Sequence, residues 1–215
     1  MRFVRWLLEL LYPAKCMLCH RLLEQPQGLL CGRCTYELPE YDKLPPKVQF
    51  FVKAAVPLYY EGYVRDAVLR FKFGGMQGYA VQFAQWMAQR IQAEMAGHYD
   101  VVSWVPCSFR RRWTRGFDQA ELLAKEVAKQ LDAVCVPTLK KIRHTPRQSG
   151  IRDAARRRAN VLGAYRAIDP TMIAGKRILL VDDVLTTGAT MSECGKTLRL
   201  AGSGELVCTV AAIVR

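Results

Sequence analysis

The spacing of apolar residues along the chain follows two periods. Short apolar runs predict buried strands near residues 54–60, 99–105, 134–139, 164–168, 178–181 and 206–213. Apolar residues at helical spacing predict helices over 64–73, 79–95, 118–131 and 191–201, the last ending at Gly202. Helices that alternate with short strands are typical of a mostly parallel sheet covered by helices. The pattern therefore predicts an α/β fold.

Four of the eight cysteines form two Cys-x-x-Cys pairs near the N-terminus, Cys16 with Cys19 and Cys31 with Cys34. Eleven residues separate the pairs, enough to return the chain and place four thiolates around a zinc ion. A complete four-thiolate site has no open coordination position, so we expect a structural or partner-binding role. Iron also suits tetrahedral sulfur ligands, and the spacing does not separate the two metals.

Prolines punctuate the chain after the cysteine pairs. Pro39, Pro45 and Pro46 fall within residues 38–48 and predict a linker. We therefore expect an N-terminal helix and four-cysteine module over 1–45, followed by a larger domain over 46–215. A module of that size is too small to fold without its metal.

Residues 1–11 are rich in leucine and predict a short amphipathic helix that packs on the body. Trp6 beside Arg2 and Arg5 also permits peripheral contact with a membrane surface. Arg5 and Glu9 interrupt the apolar run, unlike a signal peptide, and no run reaches the roughly 18 apolar residues of a transmembrane helix. We expect a cytoplasmic protein, in which structural disulfides are rare.

The apolar run 178–181 leads directly into the segment Asp182-Asp183-Val184-Leu185-Thr186-Thr187-Gly188-Ala189-Thr190. The two carboxylates stand at the carboxyl end of a predicted strand, where open α/β sheets bind ligands. The threonines and Gly188 follow in a turn at a helix N-terminus, which offers backbone N–H groups, hydroxyls and the helix dipole to a phosphate. One site can therefore bind a sugar and its phosphate together.

This segment resembles the phosphoribosyl-pyrophosphate (PRPP) motif of type I phosphoribosyltransferases. The resemblance implies that residues 182–190 bind PRPP, with the aspartates on the ribose hydroxyls and the Thr–Gly turn on the 5′-phosphate. It also implies Mg²⁺ bound together with PRPP. A P-loop is excluded, because Gly195-Lys196-Thr197 lies inside the predicted helix and Thr190 stands where that motif requires glycine.

The chain is basic, with a formal net charge of +13, and the charge is concentrated. Residues 110–166 contain 15 Lys and Arg against 5 Asp and Glu, a net charge of +10. Such a patch suits a polyphosphate, RNA or DNA, and Trp113 or Phe117 within it can stack on bases. The alternative is a basic face that serves only solvation.

Further motifs, taken with the cysteine pairs, resemble the ComF family of competence-associated proteins over nearly the whole chain. They are Pro13 before Cys16, Tyr60-Glu61-Gly62, Leu69-x-Phe71-Lys72-Phe73, Arg115-Gly116-Phe117-Asp118-Gln119 and His144-Thr145-Pro146-Arg147-Gln148-Ser149-Gly150. One departure is Asp118, where asparagine is expected in that family. This residue adds a carboxylate near the predicted pyrophosphate loop.

The resemblance implies a type I phosphoribosyltransferase-like domain with an N-terminal zinc module. It also implies a role in DNA uptake during natural transformation, with single-stranded DNA and proteins of the uptake machinery as partners. Residues expected to face the pyrophosphate of PRPP are Cys107, Ser108, Arg115, Arg143 and Gln148.

Three functions stay open on the sequence. The first is a nucleic-acid-binding protein that holds PRPP and Mg²⁺ and acts in DNA uptake. The second is an active phosphoribosyltransferase that transfers ribose 5-phosphate from PRPP to a nitrogen acceptor in nucleotide or related metabolism. The third is a scaffold that senses PRPP without turnover. No segment identifies the acceptor, a catalytic residue, the oligomeric state or the protein partners.

Overall fold

A computed structural model describes residues 13–24, 28–145 and 154–215. The predicted N-terminal helix over 1–11 and Gln148 lie outside these ranges. The described helices are α1 (Gly32–Tyr36), α2 (Gly62–Phe73), α3 (Tyr79–Met95), α4 (Phe109–Arg115), α5 (Gln119–Gln130), α6 (Ala154–Val161), α7 (Pro170–Ile173) and α8 (Ala189–Leu200). The strands are β1 (Lys53–Ala55), β2 (Leu58–Tyr59), β3 (Val101–Trp104), β4 (Leu139–Lys141), β5 (Tyr165–Ala167), β6 (Ile178–Leu185) and β7 (Leu206–Ile213). In the described ranges, no helix has the length and apolar content needed to cross a bilayer.

The main sheet is parallel throughout. Its strands lie in the order β1, β7, β6, β3, and β2 also pairs with β7. β3 pairs with β6 so that Val101 lies opposite Ile178 and Trp104 lies opposite Val181. β4 and β5 form a separate antiparallel pair. The predicted mostly parallel α/β fold is confirmed.

Both faces of the sheet are buried, as the continuous apolar runs of its central strands require. In β6, Leu179 and Val181 belong to a core shared with α2, α3 and α5. The alternate residues Ile178 and Leu180 belong to a second core that contains Leu139 of β4 and Met191 of α8. The strand period of two thus assigns successive side chains to opposite helix layers.

Two predicted elements have the same bounds in the structure, and other elements are shorter or shifted. α3 and β7 span the predicted residues. The run 54–60 forms two short strands, because Pro57 has no N–H to continue the ladder. Only Leu139 of the predicted strand 134–139 belongs to β4, which runs on to Lys141, and Cys135 makes an isolated bridge to Val102.

The strand before the aspartates is longer than predicted. β6 continues to Leu185, because Asp182, Val184 and Leu185 keep parallel partners in β7. Asp182 and Asp183 therefore lie within the strand, where its backbone fixes their positions, and not in the loop after it.

The helix that follows β6, α8, ends at Leu200. Leu200 is 79% exposed, so this apolar residue does not contribute to the core.

The segment that contains the cysteine pairs packs directly on the body. Cys16, Met17 and Leu18 are buried in the same core as α2 and α3. The Arg70 guanidinium of α2 donates hydrogen bonds to the carbonyls of Met17 and Leu18, at 2.8 and 2.6 Å. The division of the chain at residue 45 stays a prediction, because the two parts share one core.

Packing around α8 allows a test of the fold. A methyl group at Gly195 would stand 2.6 Å from Cε2 of Phe51, so Gly195→Ala overpacks the contact. Overpacking costs typically about 1–3 kcal/mol, which exceeds the gain of at most about 1 kcal/mol from helix propensity. We expect a lower melting temperature by circular dichroism. Gly78→Ala is the control, since no described atom lies within 4 Å of its added methyl group. A Gly195→Ala protein as stable as the parent would contradict this packing.

Candidate functional site

A cavity of about 280 Å³ lies at the carboxyl ends of β3 and β6. The two strands are adjacent and parallel, so the loop that follows β3 meets the end of β6. The Val105 N–H donates to the Val181 carbonyl at 2.9 Å and continues the pairing into the loop. This is the edge at which open parallel sheets bind ligands.

Residues from several helices, strands and loops line the cavity. Its polar lining residues are Tyr60, Lys72, Cys107, Arg111, Arg115, Asp118, Gln119, Lys141, Thr145, Arg157, Tyr165, Asp182, Asp183, Thr186 and Thr190. Carboxylates therefore share one small cavity with several cations and with two threonines of the predicted PRPP motif.

The two aspartates are half-buried and differ in their partners. Asp183 Oδ1 lies 2.7 Å from Lys72 Nζ, with each side chain 17% exposed. Asp182 Oδ1 accepts the backbone N–H of Asp183 at 2.8 Å. Burial, and after it the charge of Asp183, raises the pKa of the Asp182 carboxyl. A ligand that brings hydroxyl donors or a cation to Asp182 would therefore stabilise its ionised form.

The turn after the aspartates has the geometry expected of a phosphate cradle. Gly188 adopts φ 71°, a left-handed conformation that favours glycine, and α8 begins at the next residue. The N-cap residue, Gly188, has no side chain that could hydrogen-bond to the first backbone N–H groups of α8. Thr186 and Thr187 are exposed, whereas Thr190 is half-buried. The first turn of α8 thus presents backbone N–H groups and hydroxyls beside the aspartates.

Of the residues 182–190, five line the cavity. These are Asp182, Asp183, Val184, Thr186 and Thr190. Leu185 and Ala189 are buried, and Leu185 Cδ1 lies 3.8 Å from the position that a Cβ on Gly188 would occupy. These two apolar side chains pack on the buried side of the turn and thereby help to fix the positions of the polar residues Thr186 and Thr190.

The loop after β3 contributes Cys107 to the cavity lining. Its backbone N–H donates to Asp118 Oδ2 at 2.7 Å. Ser108 is buried, and its Oγ lies 3.0 Å from His144 Nδ1. The loop is therefore fixed by side-chain contacts on both sides, from the start of α5 and from residue 144.

Asp118 holds the loop and begins α5. Its Oδ1 accepts the backbone N–H groups of Ala120 at 3.1 Å and Glu121 at 3.4 Å, so Asp118 is the N-cap of α5. A carboxylate only accepts hydrogen bonds and can take all three N–H groups at once. Burial raises the pKa of Asp118. Asp118 therefore stabilises the loop and adds negative charge to the wall of the cavity.

The two predicted arginines have different positions. Arg115 lines the cavity, donates to Gln119 Oε1 at 2.6 Å and lies over the Phe73 ring at 4.7 Å. Arg143 donates to the carbonyls of Asn160 and Leu162, at 3.2 and 2.7 Å. It is not among the described residues that line the cavity. Of the residues expected to face the pyrophosphate, Cys107 and Arg115 thus line the cavity. Ser108 is buried in the loop, and neither Ser108 nor Arg143 is among the described residues that line the cavity.

Besides Arg115, four cations that were not predicted at the site line the cavity, namely Lys72, Arg111, Lys141 and Arg157. Lys141 Nζ donates to the Tyr165 hydroxyl at 3.1 Å, and burial with nearby Arg111 lowers the pKa of Lys141 to about 8. Arg111 donates from Nη2 to the Thr145 carbonyl at 2.8 Å. The sequence signal for Lys141 is alternation in β4, where Leu139 is buried, Lys140 exposed and Lys141 half-buried.

The four cysteines of the N-terminal pairs lie together. Their Sγ atoms all lie within 4.8 Å of one another, and those of Cys19 and Cys31 are 3.7 Å apart. Four sulfurs bound tetrahedrally at about 2.3 Å from zinc would stand roughly 3.8 Å apart. The Cys31 N–H donates to Cys16 Sγ at 3.4 Å, a contact that favours a thiolate. This cluster can hold a metal ion such as zinc.

The chain is similar in sequence to a domain family and to two named proteins. The phosphoribosyl transferase domain family matches residues 118–213. Competence protein F of Haemophilus influenzae is 29% identical over 185 residues, which cover 82% of this chain and 75% of the relative. DNA utilization protein YhgH of Salmonella typhi is 26% identical over 209 residues, which cover 89% of this chain and 86% of the relative.

One solved structure with a similar chain trace is the glutamine PRPP amidotransferase of B. subtilis in complex with ADP and GMP. The TM-score is 0.47 at 21% identity over 67% of this chain, and the chain spans only 30% of that enzyme. The resemblance drawn from the motifs is confirmed by the sequence relatives. The chain is a homologue of Competence protein F, and its residues 118–213 match the phosphoribosyl transferase domain family.

Proposed function

We propose that the cavity binds PRPP together with Mg²⁺, and that the protein acts on single-stranded DNA during DNA uptake. One observation supports PRPP most directly. The carboxylates of Asp182 and Asp183 share a cavity of about 280 Å³ with the turn at the start of α8 and with several cations. A ligand that combines a ribose, a 5′-phosphate and a pyrophosphate matches these three features.

The residues divide between the parts of PRPP. Asp182 and Asp183 accept hydrogen bonds from the ribose hydroxyls and from water bound to Mg²⁺, which carries its own oxygen ligands. The turn at residues 186–190 holds the 5′-phosphate. Arg111, Arg115 and Lys141 face the pyrophosphate, whose charge Mg²⁺ neutralises in part.

The first test is PRPP binding by isothermal titration calorimetry in the presence of Mg²⁺. Asp182→Asn/Asp183→Asn keeps the side-chain volume and removes both charges, so we expect at least tenfold weaker binding. The control is Asp66→Asn, at an exposed position of α2 outside the cavity lining. Equal affinity in the double variant would place PRPP elsewhere.

A second function, transfer of ribose 5-phosphate to a nitrogen acceptor, is favoured by the cations that face the aspartates. Arg111, Arg115 and Lys141 would stabilise a leaving pyrophosphate. Measurement of pyrophosphate released from PRPP with ammonia and with nucleobases as acceptors separates transfer from binding alone.

We also propose that the four-cysteine cluster binds one structural zinc ion. Metal analysis of protein purified under reducing conditions is expected to give about one zinc per chain, and Cys31→Ser is expected to lose it. Cys135→Ser is the control, because Cys135 is a half-buried thiol outside the cluster. Iron at the same stoichiometry, or protein without metal, would refute zinc binding.

The role in DNA uptake is supported by the names of the relatives and by the net charge of +10 in residues 110–166. Nucleic acid binding through phosphates releases counterions and is therefore steeply dependent on salt. The exposed arginines of α6, Arg156 and Arg158, are candidates for such contacts.

The DNA test measures the affinity for a labelled oligothymidylate at several salt concentrations. Arg156→Ala/Arg158→Ala is expected to flatten the log–log slope by about 0.7 for each phosphate contact that is lost. Lys176→Ala/Lys196→Ala removes two exposed charges outside residues 110–166 and is expected to leave the slope nearly unchanged. An unchanged slope in the α6 variant would show that these arginines do not contact DNA.

A further inference from the structure

A second cavity, of about 680 Å³, lies beside the first and is strongly basic. We call it the α4 groove. Its polar lining residues are Lys72, Arg110, Arg111, Thr114, Arg115 and His144. Lys72, Arg111 and Arg115 also line the first cavity, so the two spaces share three cations.

The helix along this groove has an unusual surface. None of the seven residues of α4, all within the described ranges, is buried. Phe109 and Trp113 are each 83% exposed. They are four residues apart and so lie on the same side of the helix. Neither of these rings lines the groove, and the aromatic residues that do are Phe73, which is 52% exposed, and Phe117. Aromatic rings beside a row of arginines are the combination on which single-stranded nucleic acids bind, with bases stacked on rings and phosphates on cations.

We infer that the α4 groove binds single-stranded DNA and that DNA and PRPP exclude each other, because both use Lys72, Arg111 and Arg115. This inference rests on the proposed function and adds a coupling to it. The phosphates of a strand in the groove and the pyrophosphate in the cavity would compete for the same donors.

Binding of DNA and PRPP to the three shared cations at the same time is unfavourable, because each cation already has a partner in the protein. Lys72 is already paired with Asp183, and Arg111 donates from Nη2 to the Thr145 carbonyl. Arg115 donates from Nη1 to Gln119. Each cation thus has only part of its hydrogen-bonding capacity for a ligand. Two polyanions on these groups would also repel each other across a short distance.

A nucleic acid fits the groove better than a membrane surface does. Thr114 and His144 add hydrogen-bonding groups to a concave lining, and these suit individual phosphates. A flat bilayer would contact Phe109 and Trp113 but would not enter the groove. The two partners are separated in the experiment below.

The experiment measures the anisotropy of a fluorescent 20-nucleotide oligothymidylate with the full chain in Mg²⁺, while PRPP is added. The apparent dissociation constant for DNA is expected to rise in proportion to the PRPP concentration, by about tenfold when PRPP is present at ten times its own dissociation constant, without reaching a plateau. By linkage, DNA should weaken PRPP binding in the same competitive way. Sodium sulfate at matched ionic strength controls for screening by salt. DNA affinity that does not change with PRPP would overturn the inference.

Variants separate the two ligands. Arg110→Ala/Thr114→Ala is expected to weaken DNA binding at least tenfold while PRPP affinity stays unchanged, because both residues line the α4 groove and neither lines the PRPP cavity. Arg111→Ala should weaken both. Tyr36→Ala, which removes a ring of 93% exposure in α1, is the control and should change neither.

The outcomes also distinguish this inference from the function on which it rests. If PRPP and DNA both bind but do so independently, the shared site is wrong and the proposed function survives. If no DNA binds at low salt without PRPP, both the inference and the DNA role fail. If vesicles of anionic phospholipid bind through Phe109 and Trp113 and DNA does not, the groove faces a membrane and the inference is overturned.

Discussion

The parallel pairing of β3 with β6 is the constraint on which the rest of the site depends. Because Trp104 lies opposite Val181, the loop that follows β3 meets Asp182 at the same edge of the sheet. Asp118 then fixes that loop through the Cys107 N–H and begins α5. A register shift of one residue in β6 would turn both aspartates to the opposite faces.

Acidic and basic side chains line the same cavity. The carboxyl groups of Asp182, Asp183 and Asp118 share the cavity with the cationic side chains of Lys72, Arg111, Arg115, Lys141 and Arg157. The Lys72–Asp183 pair ties the end of α2 to the end of β6, so the cation and the carboxylate hold each other in place. A ligand with separate sugar and phosphate parts can use both kinds of group. The same cations give the α4 groove its charge, which links the two spaces electrostatically.

The local parts of this account were predictable from sequence, and the parts that depend on tertiary register were not. Residues 182–190 and the cysteine pairs are short motifs whose geometry follows from neighbouring residues. Asp118 was noted as a carboxylate near the predicted pyrophosphate loop, but its hydrogen bond to the Cys107 N–H depends on how the loop and α5 come together. Lys141 reaches the cavity only through the pairing of β4 with β5, and Arg143, two residues later, turns to the carbonyls of Asn160 and Leu162. Sequence spacing does not distinguish these two cations.

The proposed PRPP site can be tested by a crystal structure of the protein with PRPP and Mg²⁺. We expect the 5′-phosphate at residues 186–190, the ribose hydroxyls on Asp182 and Asp183, and the pyrophosphate toward Arg111 and Arg115. PRPP bound at another place on the surface, or a cavity without PRPP at a concentration that saturates binding in solution, would contradict it.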